Sequence, residues 1–166
     1  MPASDGPQLI HHGARHSVTG SCHELCLPRG SGLLVDCGLF QGKEADRALE
    51  IDFPVKQLCG LVLTHVHIDH VGRLPYLIAA GFKGPIFCSK ASALLLPTVL
   101  EDALKISFTR DKRQIEHFLA IIKKQLRPLE YNGWQQVETT KTARLAIRRS
   151  KKPTIYMSSH EELLSG

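Results

Sequence analysis

A continuous apolar run that ends in a burst of metal-ligand side chains constrains this chain more than any other feature. "CGLVLTH", residues 59–65, is short and carries no charged side chain before its histidine, which fits a strand buried on both faces. Directly after it, within "LVLTHVHIDHVGRLPYL" (61–77), three histidines and an aspartate fall in six positions. Packing so many charge-capable groups together is costly unless something neutralises them, and histidine is the side chain most often recruited by metals.

The spacing suggests how such a cluster works. If the strand ends near Thr64 and a helix opens at about Val71, His65 and His67 lie two apart on extended backbone and project to one side. Asp69 and His70 follow on the turn and come back toward them. His65 and His67 can then grip one ion while Asp69 and His70 grip a second. Two ions about 3.5–4 Å apart clamp a substrate oxygen and bring the pKa of a bridging water toward neutrality. Asp69 is also a candidate catalytic group, placed to orient the attacking water. Imidazole with carboxylate suits zinc first, with iron or manganese as alternatives.

Around the cluster the chain reads as layered α/β. "QLIHHG", "SCHELCLP" and "GLLVDCGLF" look like three short strands divided by Gly- and Pro-containing turns. "VGRLPYLIAAG" has helical character, with Pro75 in its first turn and Gly81 as its C-terminal glycine. "GPIFCS" is a further strand, and "KASALLLPTVLEDALKISF" is helical with Pro97 as a kink or break. In "RDKRQIEHFLAIIKKQL", Ile115, Phe118, Leu119 and Ile122 form the i, i+3, i+4, i+7 stripe of an amphipathic helix with Asp111 as N-cap. "RPLEY", "GWQQVET" and "RLAIRR" return to strand, and the tail from "KKPTIYMSSHEELLSG" carries one short β-like run.

Composition narrows the partners. At 166 residues, 43% hydrophobic and 22% charged, the chain is one globular domain, and no apolar run approaches the roughly 20 residues of a membrane span. The opening residues lack the basic and hydrophobic regions of a secretory signal. Five cysteines (Cys22, Cys26, Cys37, Cys59 and Cys88), with no C-x-x-C, read as reduced core residues, so a cytoplasmic protein is expected. Charge is uneven: residues 1–104 carry 8 basic and 10 acidic side chains, residues 105–152 carry 13 and 4. A basic segment beside a nearly neutral one can face a polyanion such as nucleic acid, or be a solvated helix face and tail. His11, His12 and His23 read as partly buried, hydrogen-bonded residues, His16 as a loop residue, and His117 as a boundary residue. Tyr131 and Trp134 read as core aromatics, with base stacking as the alternative.

"THVHIDH" matches the H-x-H-x-D-H signature of the metallo-β-lactamase superfamily, and "LLVDCGLFQG" resembles its first motif. Together with "GARHSVTGSCHEL", "GFKGPIFCSKAS", "LLLPTVLEDALKI" and "LRPLEYNGW", they resemble the β-CASP branch of RNA-processing nucleases. The resemblance implies an αββα sandwich, two zinc ions, and hydrolysis of RNA phosphodiester bonds by a metal-activated water. It gives Asp36 a supporting role, buttressing the histidine loop rather than binding metal.

In the family a third-histidine motif (G-H-x-x-G-S) and a bridging aspartate follow, and neither is visible here. The expected architecture is therefore the N-terminal half of the sandwich, a mixed sheet flanked by helices. A partial metallo-β-lactamase domain is expected over residues 8–147, with a basic and polar tail over 148–166. His160 reads as a surface histidine, or as a stand-in third ligand. The expected function is a zinc-dependent ribonuclease acting on RNA. Its alternative is a catalytically inactive chain that binds only RNA or a full-length homologue, with self-association through an uncovered sheet face.

Overall fold

The structure is a computed structural model that describes residues 6–27, 30–45, 49–107, 109–139, 144–149 and 155–158. Six strands form a mixed sheet in the order β1-β2-β3-β4-β5-β6: β1 Gln8–Gly13, β2 Cys22–Cys26, β3 Gly32–Val35, β4 Leu58–Val62, β5 Ile86–Ser89 and β6 Leu126–Leu129. The first three are joined as antiparallel hairpins, and β3 through β6 run parallel. Parallel neighbours need crossovers: the one from β3 to β4 contains the short 3-10 turn Gly42–Glu44, and four helices supply the other two, α1 Ile68–Val71 and α2 Leu74–Ala79 between β4 and β5, α3 Lys90–Ser107 and α4 Lys112–Gln125 between β5 and β6. A second, antiparallel sheet has the order β7-β8-β9: Trp134–Thr139, Arg144–Arg149 and Ile155–Ser158. The short β-like run expected in the tail is β9, paired with β8.

The apolar central strands are explained by two cores. Alternate residues of a strand face opposite sides. Leu34, Leu61, Leu63, Ile86 and Cys88 therefore pack against Leu74, Leu77, Leu96, Leu100 and Leu104 on the helical side, with the α4 stripe Ile115, Leu119 and Ile122 beside them. Their alternates Leu33, Val62, Phe87 and Leu129 form a smaller core on the opposite face, where Val137 of β7 packs. The α/β layering read from the sequence is borne out as a mixed sheet with helices on one face.

Several boundaries differ from the sequence reading. The third strand stops at Val35 instead of running through Phe40, because Asp36 turns the chain with a φ of 59°. The helix after the histidines begins at Ile68 instead of Val71, which puts Asp69 and His70 on its first turn. It is interrupted at Gly72–Arg73 before α2 resumes, with Pro75 in its first turn. Helix α3 continues through Pro97 without a break, and Gly81 closes the α2 segment with a φ of 100°. Asp111 caps α4 by accepting a hydrogen bond from the Arg113 N–H at 2.9 Å. Tyr131, expected in the core, is 52% exposed in the turn before β7, and His117 is exposed. His160 lies outside the described residues.

The loop after β3 and the start of α1 touch backbone to backbone. A Cβ at Gly38 would run into the carbonyl group of Asp69 and the N–H of His70. Gly38→Ala is therefore expected to push the histidine loop away from its support and lower stability by about 3 kcal/mol, read from chemical denaturation.

Candidate metal centre

The histidine cluster sits where β4 ends. The strand delivers Leu63 to the core, Thr64 emerges, and His65 to His67 follow in extended backbone until α1 begins with His67 as its N-cap residue. The loop from Asp36 to Leu39 runs alongside and is laced to this segment. Asp36 N–H donates to the Val62 carbonyl at 2.9 Å, Cys37 N–H to that of His70 at 2.8 Å, and Leu39 N–H to that of Ile68 at 3.0 Å. Ser21 joins both segments, its N–H donating to the Asp69 carbonyl (2.9 Å) and its carbonyl accepting from Gly38 (2.8 Å). Arg73, 3% exposed, donates through Nε to the Gly38 carbonyl at 3.0 Å while its guanidinium lies 5.0 Å from the centre of the Phe40 ring.

At the centre of the lacing is the Asp36 carboxylate, 2% exposed. Its Oδ1 accepts from the Thr64 N–H at 2.8 Å, and its Oδ2 accepts from the Thr64 hydroxyl (2.8 Å), the Ser21 hydroxyl (3.1 Å) and His70 Nδ1 (2.7 Å). A carboxylate only accepts, so His70 carries its proton on Nδ1 and, as a neutral ring, presents the lone pair of Nε2. That Nε2 lies 3.6 Å from Asp69 Oδ2. Thr64 extends the same logic. With its hydroxyl proton given to Asp36, its oxygen accepts from His65 Nδ1 at 3.1 Å, which leaves Nε2 of His65 as the ligating nitrogen. The His65 ring centroid lies 3.9 Å from that of His70 and 4.5 Å from that of His67.

Three imidazoles this close repel one another when protonated. Burial first, and then the neighbouring His70 and His67, lower the His65 pKa from its ordinary 6.5. The depressed value keeps His65 neutral at physiological pH, the form that binds a metal.

All four residues singled out as metal ligands are therefore brought together, and Asp36 sits behind them. The sequence reading missed Thr64, Ser21 and Arg73 as parts of the support. Thr64 carried a usable signal, standing between a buried strand and the first ligand, whereas the Ser21 and Arg73 contacts depend on how distant segments meet. His11 and His23 pair across β1 and β2, Nδ1 to Nδ1 at 2.8 Å, and His12 bonds the buried Glu24 at 2.8 Å; all three are hydrogen-bonded as expected, but His11 is exposed where partial burial was expected. His16 is exposed in the loop before Ser21. No cysteine of the five is in a disulfide.

The donor chemistry fits metal ions. Nitrogen and carboxylate donors converge, and a buried carboxylate orients the imidazole behind them, as at carboxylate–histidine–metal sites. The number is incomplete: among the described residues no group of three or more His, Cys, Asp and Glu side chains is arranged to hold an ion. Catalytic zinc sites use three protein ligands, whereas each pair here offers two.

Residues 19–158 match the family described as the metallo-beta-lactamase superfamily. This chain belongs to that superfamily. Among curated proteins it is 43% identical over 130 residues to "Ribonuclease TTHA0252" of Thermus thermophilus, covering 76% of this chain and 29% of that protein. It is 31% identical over 128 residues to "Probable RNase MJ4" of Methanocaldococcus jannaschii, covering 75% and 29%. It is likewise 31% identical over 140 residues to "Integrator complex subunit 11" of Danio rerio, covering 76% and 23%. The chain thus spans under a third of the length of these relatives. The resemblance read from the sequence is borne out by them, and membership of the superfamily implies metal binding.

Asp36→Asn separates the charge of the buttress from its backbone role, since asparagine also tolerates a positive φ. The variant is expected to fold but to bind zinc 10–100-fold more weakly, measured by chelator competition. In metal-free protein, the His65 ring resonances are expected to titrate below pH 6.5 by NMR. Because the unfolded chain takes up this proton first, that histidine's contribution to stability is present above pH 6.5 and is lost as pH falls through the folded value.

Proposed function

We propose that this chain carries the metal-holding part of a zinc-dependent hydrolase that cleaves RNA phosphodiester bonds in RNA processing, of the β-CASP type. The reading rests on one observation above the others: His70 is held through Nδ1 by the buried Asp36 while its Nε2 faces Asp69, with the His65 ring tilted beside it. The buried carboxylate ties Ser21 and Thr64 to the same point and also fixes the His70 ring so that its opposite nitrogen is free to take a ligand. The ribonuclease names of two of the relatives supply the substrate class.

His65 and His67 would hold one zinc ion, and Asp69 with His70 a second. Bound there, the ions would supply Lewis acidity toward a phosphodiester oxygen and make a water nucleophilic near neutral pH. The chain's own residues prepare that chemistry. Asp36 and Thr64 fix the ring tautomers, Asp69 orients the attacking water, and burial together with the neighbouring rings favours the neutral form of His65. Further ligands would come from beyond the described residues or from a second chain. RNA is the proposed partner, with self-association or pairing with a full-length homologue as the means of completing the site. Among the described residues no helix is long and apolar enough to cross a membrane. Cysteines outside any disulfide support a cytoplasmic setting, where thiols stay reduced.

The two-donor count at each ion favours a second reading, an inactive chain that binds RNA or a homologue without cutting. Zinc per chain, measured by elemental analysis on the protein and on His65→Ala/His67→Ala, separates them. The hydrolase reading expects close to two ions, lost in the variant, together with metal-dependent cleavage of single-stranded RNA that the variant loses. Little zinc in either protein and no cleavage would leave the inactive reading standing.

A further inference from the structure

Away from the histidine cluster, a cavity of 480 Å³ opens between the main sheet and β7. Lys83 enters it from the segment before β5, Lys124 from the last turn of α4, and Arg127 from β6. Phe87 gives it an apolar wall, and Gln135 and Gln136 line the β7 side. None of its lining residues is acidic.

A structural explanation covers only part of this. Lys124 offsets the negative end of the α4 dipole, and Arg127 Nη1 donates to the carbonyls of Lys124 and Leu126, both at 2.8 Å. Neither role calls for Lys83, which comes from a separate loop. Three exposed cations gathered at one concavity from three elements, with no acidic side chain among the lining, make a positive site that attracts an anion. The volume lies within the usual range for small-molecule sites, roughly 300–1,000 Å³, and suits one nucleotide. Cations beside an aromatic wall are a usual means of holding a phosphate with its base.

We propose that this cavity binds the phosphate backbone of single-stranded RNA, one nucleotide at a time, as an anchor separate from the metal centre. Its position decides the geometry. Lys83 precedes the N-terminal end of β5, whereas His65 follows the C-terminal end of β4, which runs parallel to β5. The two sites lie at opposite ends of the parallel strands, so a strand held in the cavity is gripped away from the bond to be cut. The anchor does not rest on the metal reading, and either can fail alone.

The test is fluorescence anisotropy of a labelled single-stranded RNA oligonucleotide, across a salt series, with the full chain. Lys83→Ala/Lys124→Ala/Arg127→Ala is compared with the charge-keeping Lys83→Arg/Lys124→Arg, and both comparisons are repeated in the His65→Ala/His67→Ala background. The expected result is about a tenfold or greater loss of affinity in the alanine variant and near-parent binding in the arginine variant. The slope of log affinity on log salt should become shallower by about 0.7, the value for one phosphate contact on a single strand. The same differences are expected when the histidines are removed. Unchanged affinity and slope in the alanine variant would overturn the anchor. Competition with a nucleoside monophosphate distinguishes the source of the phosphate. Weak displacement supports a strand, whereas displacement as strong as by unlabelled oligonucleotide would overturn the strand in favour of a free nucleotide.

Discussion

The Asp36 carboxylate, removed from water at the end of β3, is the constraint on which the rest of the site depends. Burying an ionised carboxylate is expensive unless its oxygens are filled with donors. Here the donors come from three separate stretches: Ser21 before β2, Thr64 after β4, and His70 on α1. Satisfying one charge therefore pins two strand ends and a helix to a common point. The same contacts set the tautomer of His70 and, through Thr64, that of His65. Folding and ligand orientation are one event at this position.

The backbone makes the arrangement stiff. Strand β3 cannot continue past Val35, because the left-handed turn at Asp36 points its carboxylate back under the histidines. The following residues then lie against α1 so closely that only glycine fits at position 38. Arg73, buried under Phe40 and donating to Gly38, closes the far side. A short four-residue helix such as α1 has little stability of its own. It persists because its carbonyls accept hydrogen bonds from Ser21, Cys37 and Leu39.

Much of this was legible in the sequence. The apolar run at 59–63 specified a strand covered on both faces, and the alternation of Leu61 and Val62 between the two cores realises it. The ligand set was readable because four such side chains in six positions have few other uses, and the α4 stripe because its spacing is helical. Harder to see were the features set by contact between distant segments. The end of β3 at Val35 was hidden because "DCGLF" remains apolar on both sides of the turn, and an aspartate with positive φ looks like any other. Pro97 suggested a break in α3, yet the burial of Leu96, Leu100 and Leu104 along one side holds the helix through it. The cation-lined cavity was invisible because Lys83 and Arg127 are 44 positions apart and meet only through the parallel pairing of β5 and β6.

Two thiols flank the Asp36 turn, and both are sealed from solvent. Cys37, one residue after the carboxylate, keeps its proton far more tightly than an ordinary cysteine, through its hydrogen bond with Cys22 and its burial. Cys22 is shifted the other way, first by that hydrogen bond and then by the charge of Arg73. An alkylating reagent needs an exposed thiolate. Cys22 is shut in, so a reagent reaches it only in the moments when the packing around the Asp36 turn opens. The fold thus contains its own clock: the pace at which Cys22 is captured, followed apart from the partly exposed Cys26 and Cys59, counts the openings of the packing around the Asp36 turn, with no probe added to the site itself.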